Sequence, residues 1–114
     1  MTTVRFALDK AGNICDFSVS GHSGYAEEGG DIVCAAVSAT VQMLEMQIAQ
    51  VIGEEKASFE VLGDAEISCR LPADLSDKEK EIIKPMMDGF FGYVQLVSKH
   101  YEDFLTLKTE VKKC

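Results

Sequence analysis

Hydrophobic and polar side chains alternate in five short segments of the chain, which is the pattern of strands that bury one face. Residues 4–8 and 14–20 are separated by a short glycine-containing turn, and together they predict a β-hairpin. Residues 57–62 and 65–71 flank a glycine–aspartate turn and predict a second hairpin. Residues 105–111 alternate again and predict a last strand.

Two longer segments have the hydrophobic period of a helix. From residue 31 to about residue 52 the side chains are apolar on nearly all faces, and Gly53 ends the pattern, which predicts a helix buried on more than one side. Ser76 opens a capping box, which predicts a second helix that extends to about Asp103. Because Pro85 lies inside it, we expect a kink or a late start.

The predicted order of elements is therefore β-β-α-β-β-α-β. Two helices bury their apolar faces economically by packing on one face of a mostly antiparallel sheet, so the predicted fold class is α+β. A chain of 114 residues with 46% hydrophobic and 26% charged residues has the size and composition of one globular domain, residues 1–114.

The charge balance is acidic, with 11 Lys and Arg against 19 Asp and Glu and a formal net charge of -8. Nucleic-acid binding through phosphate contacts needs clustered cations, so we expect no direct nucleic-acid partner. The charge suits a basic partner, although it also keeps a small protein soluble. The N-terminal sequence MTTVRFALDK lacks a cationic segment followed by an apolar one, and polar residues interrupt the longest apolar stretch. We therefore expect a cytoplasmic location and no membrane span.

The four cysteines are Cys15, Cys34, Cys69 and Cys114, and no two are spaced as CxxC. A zinc ribbon or a thioredoxin motif is therefore not expected. In a reducing compartment at least some of these cysteines stay free thiols, and a chain with its own core does not need disulfides. We assign no role to Cys15, Cys69 and Cys114.

Candidate chemistry is concentrated between residues 21 and 38. The segment 21–30 holds four glycines, which predicts a loop before the first helix. If Asp31 is the N-cap, Cys34 is the third helical residue, where free N–H groups and the helix dipole favour thiolate and lower the cysteine pKa. His22 lies on the loop and, folded over the helix start, would provide the base for a cysteine nucleophile.

Each of these residues also has a structural interpretation. Cys34 is a small apolar side chain of the kind that packs at a helix start, and His22 is of the kind that is simply solvated. Asp31 caps a helix whether or not it orients a histidine. Ser38, one turn after the cysteine, either points to the site or bonds back to the helix, and Tyr25 either covers the site or anchors the loop.

The segments GHSGYAE (residues 21–27) and DIVCAAVS (residues 31–38) together resemble the signature of the bacterial ribosomal-processing cysteine protease family, Prp. Members of this family remove a short N-terminal extension from large-subunit ribosomal protein number twenty-seven. The resemblance implies that Cys34 is the nucleophile and His22 the general base, with Asp31 and Ser38 in supporting positions.

The resemblance also implies a homodimer, a precursor of a basic ribosomal protein as the partner, and a mechanism without metal or cofactor. Ser23 and the glycine-rich run at residues 28–30 depart from the family pattern without removing a reacting group. The expected substrate loop orders when an extended peptide enters and brings the histidine to the cysteine. Its expected members are Gly21, Gly24, Tyr25, Gly29 and Gly30.

Two other classes of function remain open. A non-catalytic homodimeric interaction module, acting in ribosome assembly, would use the apolar face of the second helix, although such a stripe is more often core. That face comprises Met86, Met87, Phe90, Phe91, Val94, Leu96 and Val97. A metal-binding domain would use His22, Asp31 and Cys34, but no second Cys/His pair has the spacing of a structural zinc site.

Overall fold

A computed structural model describes residues 1–21, 28–61 and 66–114 of the chain, with the side chains of 28–31 outside that description. The elements follow the predicted β-β-α-β-β-α-β order, and the α+β class is confirmed. Their bounds are β1 Thr2–Leu8, β2 Ile14–Ser20, α1 Glu28–Ile52, β3 Ser58–Val61, β4 Glu66–Arg70, α2 Asp77–His100 and β5 Leu105–Val111.

The five strands form one sheet in the order β3-β4-β2-β1-β5. The β1–β5 pair is parallel, whereas the other three pairs are antiparallel, so the sheet is mostly antiparallel as predicted. The turn between β1 and β2 is closed by the Asp9 carboxylate, which accepts hydrogen bonds from the N–H groups of Ala11 and Asn13, each at 2.9 Å. These backbone hydrogen bonds, that of Asn13 above all, hold the pKa of Asp9 below its ordinary value.

The core lies between one face of this sheet and the two helices. Phe6 of β1 pairs in register with Phe17 of β2, and both side chains are buried. Their rings approach Phe90 of α2 at centroid distances of 5.6 Å and 4.8 Å. The α1 side of the core is aliphatic and comprises Val33, Val37, Val41, Leu44 and Ile48.

Helix α2 begins where the capping box predicts. Ser76 Oγ accepts a hydrogen bond from the N–H of Glu79 at 3.1 Å, and the Glu79 carboxylate accepts one from the N–H of Ser76 at 2.9 Å. The helix continues through Pro85 to His100, so the expected late start is wrong and the end lies three residues before Asp103. The capping box and the buried residues on both sides of the proline outweigh the one hydrogen bond that proline cannot donate.

Helix α1 begins at Glu28, three residues before the predicted start. Asp31 is therefore the fourth residue of the helix rather than its N-cap, and Cys34 is the seventh rather than the third. Glycine costs a helix about 1 kcal/mol relative to alanine, so the glycine run suggested a loop, but this cost does not exclude glycine from a helix anchored by buried residues. At the other end Gly53 adopts a φ of 87° and stops the helix, as predicted.

The stretch Ile32–Ile52 of α1 is long and apolar enough to cross a membrane by length and composition. We expected the polar side chains in this stretch to exclude it as a membrane span, but they do not, because the stretch still meets the length and composition criteria. A core helix passes the same test, and one side of α1 does belong to the buried core described above.

Candidate active site

Cys34 is a free, half-buried thiol on the second turn of α1. The buried residues Val33 and Val37 on the same helix fix its orientation, because they anchor α1 on the core. At 1.5 Å per residue, Cys34 lies about 9 Å along the axis from Glu28. The unpaired N–H groups belong to the first four residues of the helix, and the dipole effect fades within the first turn. The predicted placement of Cys34 at the positive helix end is therefore wrong.

Ser38 follows Cys34 by four residues, which places the two on the same side of α1. Its side chain is half-buried and makes no side-chain hydrogen bond within the described part of the chain. A bond of this kind back to the helix is made by the neighbouring Thr40, whose hydroxyl donates to the Ala36 carbonyl at 2.7 Å. Ser38 therefore has a hydroxyl that is not committed to the helix backbone.

Gly21 is required by the backbone at the end of β2. Its φ is 85°, and a Cβ atom there would lie 2.6 Å from the carbonyl oxygen of Met1. Only glycine fits both conditions without a shift of the N-terminus. Gly21 thus has a conformational role, since it fixes where the chain leaves the sheet ahead of residue 22.

The remaining predicted site residues are only partly covered by the described structure. His22, Gly24 and Tyr25 lie outside the described residues, as does any contact between His22 and Cys34. Gly29 and Gly30 lie in the first turn of α1 rather than in a loop, which corrects the predicted loop boundary. Asp31 lies in the same turn, and its side chain is outside the description. The pairing of base and nucleophile therefore stays a prediction.

The other cysteines differ sharply from Cys34. Cys69 of β4 is buried, and burial first, then the charges of Asp16 and Glu45, raises the pKa of its thiol to about 12. It stays a neutral thiol near pH 7 and is no nucleophile. Cys15 and Cys114 are joined to each other. Of the two free cysteines, Cys34 is thus the one that is not fully buried.

The Cys15–Cys114 disulfide contradicts the expectation that these two residues have no role. Their Cα atoms are 6.1 Å apart although 99 positions separate them in sequence. The sequence does not reveal this proximity because it arises from the strand order, in which β5 lies beside β1 and β1 beside β2. The even number of cysteines was the available signal, and it does not specify the connectivity.

Neither of two cavities found among the described residues includes Cys34 in its lining. One, of about 510 Å³, is a groove between α1 and α2 that Met43, Leu44, Pro85, Phe90 and other residues line. At 3.6 residues per turn, Met43 and Leu44 lie on one side of the buried face of α1, and Cys34 lies on the other side. Within the described ranges no group of three or more His, Cys, Asp and Glu side chains could hold a metal ion. The alternative metal site requires His22 and so lies outside the described residues.

Comparisons with known proteins find relatives that cover nearly the whole chain. A curated relative, the ribosomal processing cysteine protease Prp of Bacillus subtilis, is 25% identical over 117 residues and covers 96% of each chain. A crystal structure of a Streptococcus mutans protein superposes with a TM-score of 0.76 at 23% identity, over 98% of this chain and 96% of that one. The Prp protease from S. aureus, in complex with a substrate peptide, superposes with a TM-score of 0.74 at 20% identity, over 96% of this chain and 100% of that one.

The solved structures share the fold of this chain, and the family model adds the chemistry. The model described as cysteine protease Prp matches residues 1–106, which include the whole of α1 and the free thiol at Cys34. A match of this extent places all the predicted site residues within the family domain. The chain therefore belongs to the Prp family of cysteine proteases.

Proposed function

We propose that this protein is an endopeptidase that removes a short N-terminal extension from the precursor of a large-subunit ribosomal protein, number twenty-seven, and so supports ribosome maturation. The observation that carries the proposal is the state of the four cysteines. Two are cross-linked, one is buried with a pKa of about 12, and Cys34 alone is a free cysteine that is only half-buried. The names of the B. subtilis and S. aureus relatives support ribosomal processing as the setting.

In the proposed mechanism, Cys34 attacks the scissile carbonyl carbon as a thiolate after His22 removes its proton. The tetrahedral oxyanion that forms is stabilised by backbone N–H donors of the segment around the site. His22 then protonates the departing amine, and water releases the acyl group and restores the thiol. Asp31 and Ser38 support this pair from the same helix, and the reaction uses no cofactor or metal.

The proposed substrate is a basic ribosomal precursor, and the acidic net charge of -8 favours its encounter with the enzyme. Acidic residues also flank the site in sequence, at Glu27, Glu28 and Asp31. In this proposal the bound peptide contacts the substrate-loop residues Gly21, Gly24 and Tyr25. The proposed location is cytoplasmic, where ribosomes assemble, without direct contact with nucleic acid or membrane.

We also propose a homodimer, formed through the exposed side of α1. Ile32, Met43 and Met46 have exposed fractions of 53%, 57% and 71%. Ala35 and Ala39 lie between them, and the five side chains recur at the three- and four-residue spacing of one helix face. We call these five residues the α1 stripe. An apolar face of this kind on a soluble protein is typical of an interaction site.

The apolar face of α2 is mostly core, which is the more frequent role of such a stripe, because Met87, Phe90, Val94 and Val97 are buried within the same chain. That burial leaves little of this face for the alternative use as an interface. Leu96, with an exposed fraction of 52%, is the most exposed member of that set. The α1 stripe also supports the second candidate function, a non-catalytic homodimeric module in ribosome assembly, because such a module requires an apolar association surface and no nucleophile.

Cleavage of the full-length ribosomal precursor, followed by intact-mass spectrometry, tests the proposal. We expect a single N-terminal loss with the natural enzyme and no loss with Cys34→Ala or His22→Ala, because the first removes the nucleophile and the second the base. Cys69→Ala is the matched control and should still cleave, since the thiol at Cys69 is buried and protonated.

Two results would contradict the proposed protease activity. Cleavage that persists in folded Cys34→Ala protein would exclude the proposed nucleophile. A folded natural protein that leaves the precursor intact, yet binds ribosomal proteins as a dimer, would favour the non-catalytic module.

A further inference from the structure

The C-terminal segment 112–114 crosses the end of β1 to reach β2. The N–H of Lys112 donates to the carbonyl of Leu8 at 2.9 Å, and its side chain forms an ion pair with Asp16 of β2. Two residues later Cys114 is joined to Cys15, also of β2. The segment is thus held by two non-covalent contacts and one covalent bond, all at the same corner of the sheet.

The surroundings of the two sulfurs suit the reduced form as well as the disulfide. Sγ of Cys15 lies 3.4 Å from the carbonyl oxygen of Ala7, within range for a thiol to donate a hydrogen bond. Cys114 is exposed, and of the β5 residues only Leu105, at the opposite end of the strand, is buried in the core. Opening the disulfide therefore releases an exposed segment while the core stays closed.

The disulfide lies in the wall of the second cavity, which has a volume of about 380 Å³ and is lined by both cysteines. This volume is within the range of small-molecule sites. Its floor is apolar, with Leu75 from the segment before α2 and Ile83 from α2. Charges of both signs surround the opening, including Lys80, Lys84 and Glu81. These features suit a small molecule that carries both an amine and a carboxylate.

We propose that Cys15 and Cys114 form a reversible thiol–disulfide exchange site, and that this cavity admits a low-molecular-weight thiol with amine and carboxylate groups. The thiolate of the small molecule attacks Sγ of Cys114, the exposed sulfur, and the Cys15–Cys114 bond breaks. Cys15 leaves as a thiolate, takes a proton from water and donates to Ala7. A second small thiolate then attacks the outer sulfur of the mixed disulfide. The small-molecule disulfide is released, and Cys114 leaves as a thiolate that takes a proton from water, so that two protein thiols remain.

This exchange is separate from the proposed peptidase chemistry. No residue of α1, and so neither Cys34 nor Ser38, lines the cavity. The redox state of the pair is expected to change the thermal stability of the domain, because the cross-link closes a loop of 99 residues in the unfolded chain. Opening it should lower Tm by about 10 °C.

Reduced and oxidised glutathione are the probes, applied to the full chain with Cys34→Ala so that the other accessible thiol is absent. After trapping with an alkylating reagent, peptide mapping reports the state of each cysteine. In oxidised glutathione we expect the Cys15–Cys114 cross-link, and in excess reduced glutathione two free thiols, with a glutathione adduct at Cys114 in between. Free thiols under both conditions would overturn the proposal, and so would a cross-link that the folded protein retains in excess reduced glutathione.

Two variants test the pair and the cavity separately. Cys114→Ser should lose about 10 °C of Tm under oxidising conditions and nothing under reducing ones, whereas the neighbouring Lys113→Ser should match the natural protein in both. Ala73→Trp fills the cavity from an exposed position and should slow exchange with glutathione about fivefold, but not exchange with the smaller 2-mercaptoethanol. Equal slowing of both reagents would show that the cavity does not receive the thiol.

Discussion

The two helices are nearly equal in length, at 25 and 24 residues, yet they distribute their side chains differently. Helix α2 has its apolar and charged residues on different sides. Ile83, Phe90 and Val94 lie in the core, and acidic and basic residues face outward. Helix α1 carries one charged residue, Glu45, between Ile32 and Ile52. Its core side is as apolar as that of α2, and its outer side stays largely apolar too.

This difference suggests that the two helices have different roles, one in the stability of the domain and the other in its function. A helix that serves only the core needs one apolar side, and solvent selects polar residues for the other. Apolar residues on the outer side of α1 cost solubility without adding to the core of one chain. They are accounted for if the outer side meets a partner while the flank with Cys34 meets the substrate. Helix α2 then stabilises the domain, and α1 carries its chemistry and its association.

The largest expected effect on stability comes from α2. Phe90→Ala should lower the free energy of unfolding by about 3–5 kcal/mol, because it removes a buried ring and leaves a cavity. That ring lies 4.8 Å from the Phe17 ring and 5.6 Å from the Phe6 ring. Urea denaturation, with the midpoint and slope fitted together, measures the loss.

The matched control is Leu96→Ala on the same helix, whose side chain is half exposed and should cost less than about 1 kcal/mol. The Cys34→Ala variant completes the comparison, because it should abolish cleavage with little change in the urea midpoint. Equal losses for Phe90→Ala and Leu96→Ala would contradict the assignment of the aromatic side of α2 to the core.

The start of α2 and the order of the elements are predictable from the sequence because they rest on local rules. Ser76 and Glu79 cap one helix through bonds three residues apart, and alternating residues mark a strand wherever it lies in the sheet. Pro85 was the exception, since the sequence shows the missing N–H but not the buried neighbours that keep the helix continuous.

The start of α1 and the cross-link were not predictable in the same way. At Gly29 and Gly30 the local preference against helix opposes the burial of the following residues, and the sequence does not say which is larger. Cys15 and Cys114 meet only because β1 lies between β2 and β5, which is a property of the whole sheet. The sequence motif identifies Cys34 as the candidate nucleophile, but it does not predict that Cys34 lies on the second turn of α1.

A smaller effect is expected at the outer side of α1. Met43→Glu combined with Met46→Glu should weaken the proposed dimer at least about 100-fold, because association would then bury charges without partners. Light scattering after size-exclusion chromatography measures the mass across a dilution series. Ile82→Glu is the control, since Ile82 is an exposed apolar residue of α2 outside the α1 stripe and its variant should stay dimeric. A dimer unaffected by the α1 substitutions would place the interface elsewhere, and a monomeric natural protein would exclude the homodimer.

The smallest expected effect concerns the capping box at the start of α2. Ser76→Ala should lower the free energy of unfolding by about 1 kcal/mol, because the N–H of Glu79 loses its acceptor.

The backbone N–H of Ser76, followed by its side chain, holds the pKa of Glu79 below its ordinary value of 4.5. A lowered pKa in the folded state means that the ionised Glu79 stabilises the helix above pH 4.5, and that this contribution is lost as the pH falls through the lower folded value. Between pH 3 and pH 7, the urea midpoint should therefore fall less steeply on acidification for Glu79→Gln than for the natural protein. An equal pH dependence of the two midpoints would show that the capping bond at Glu79 does not depend on its charge.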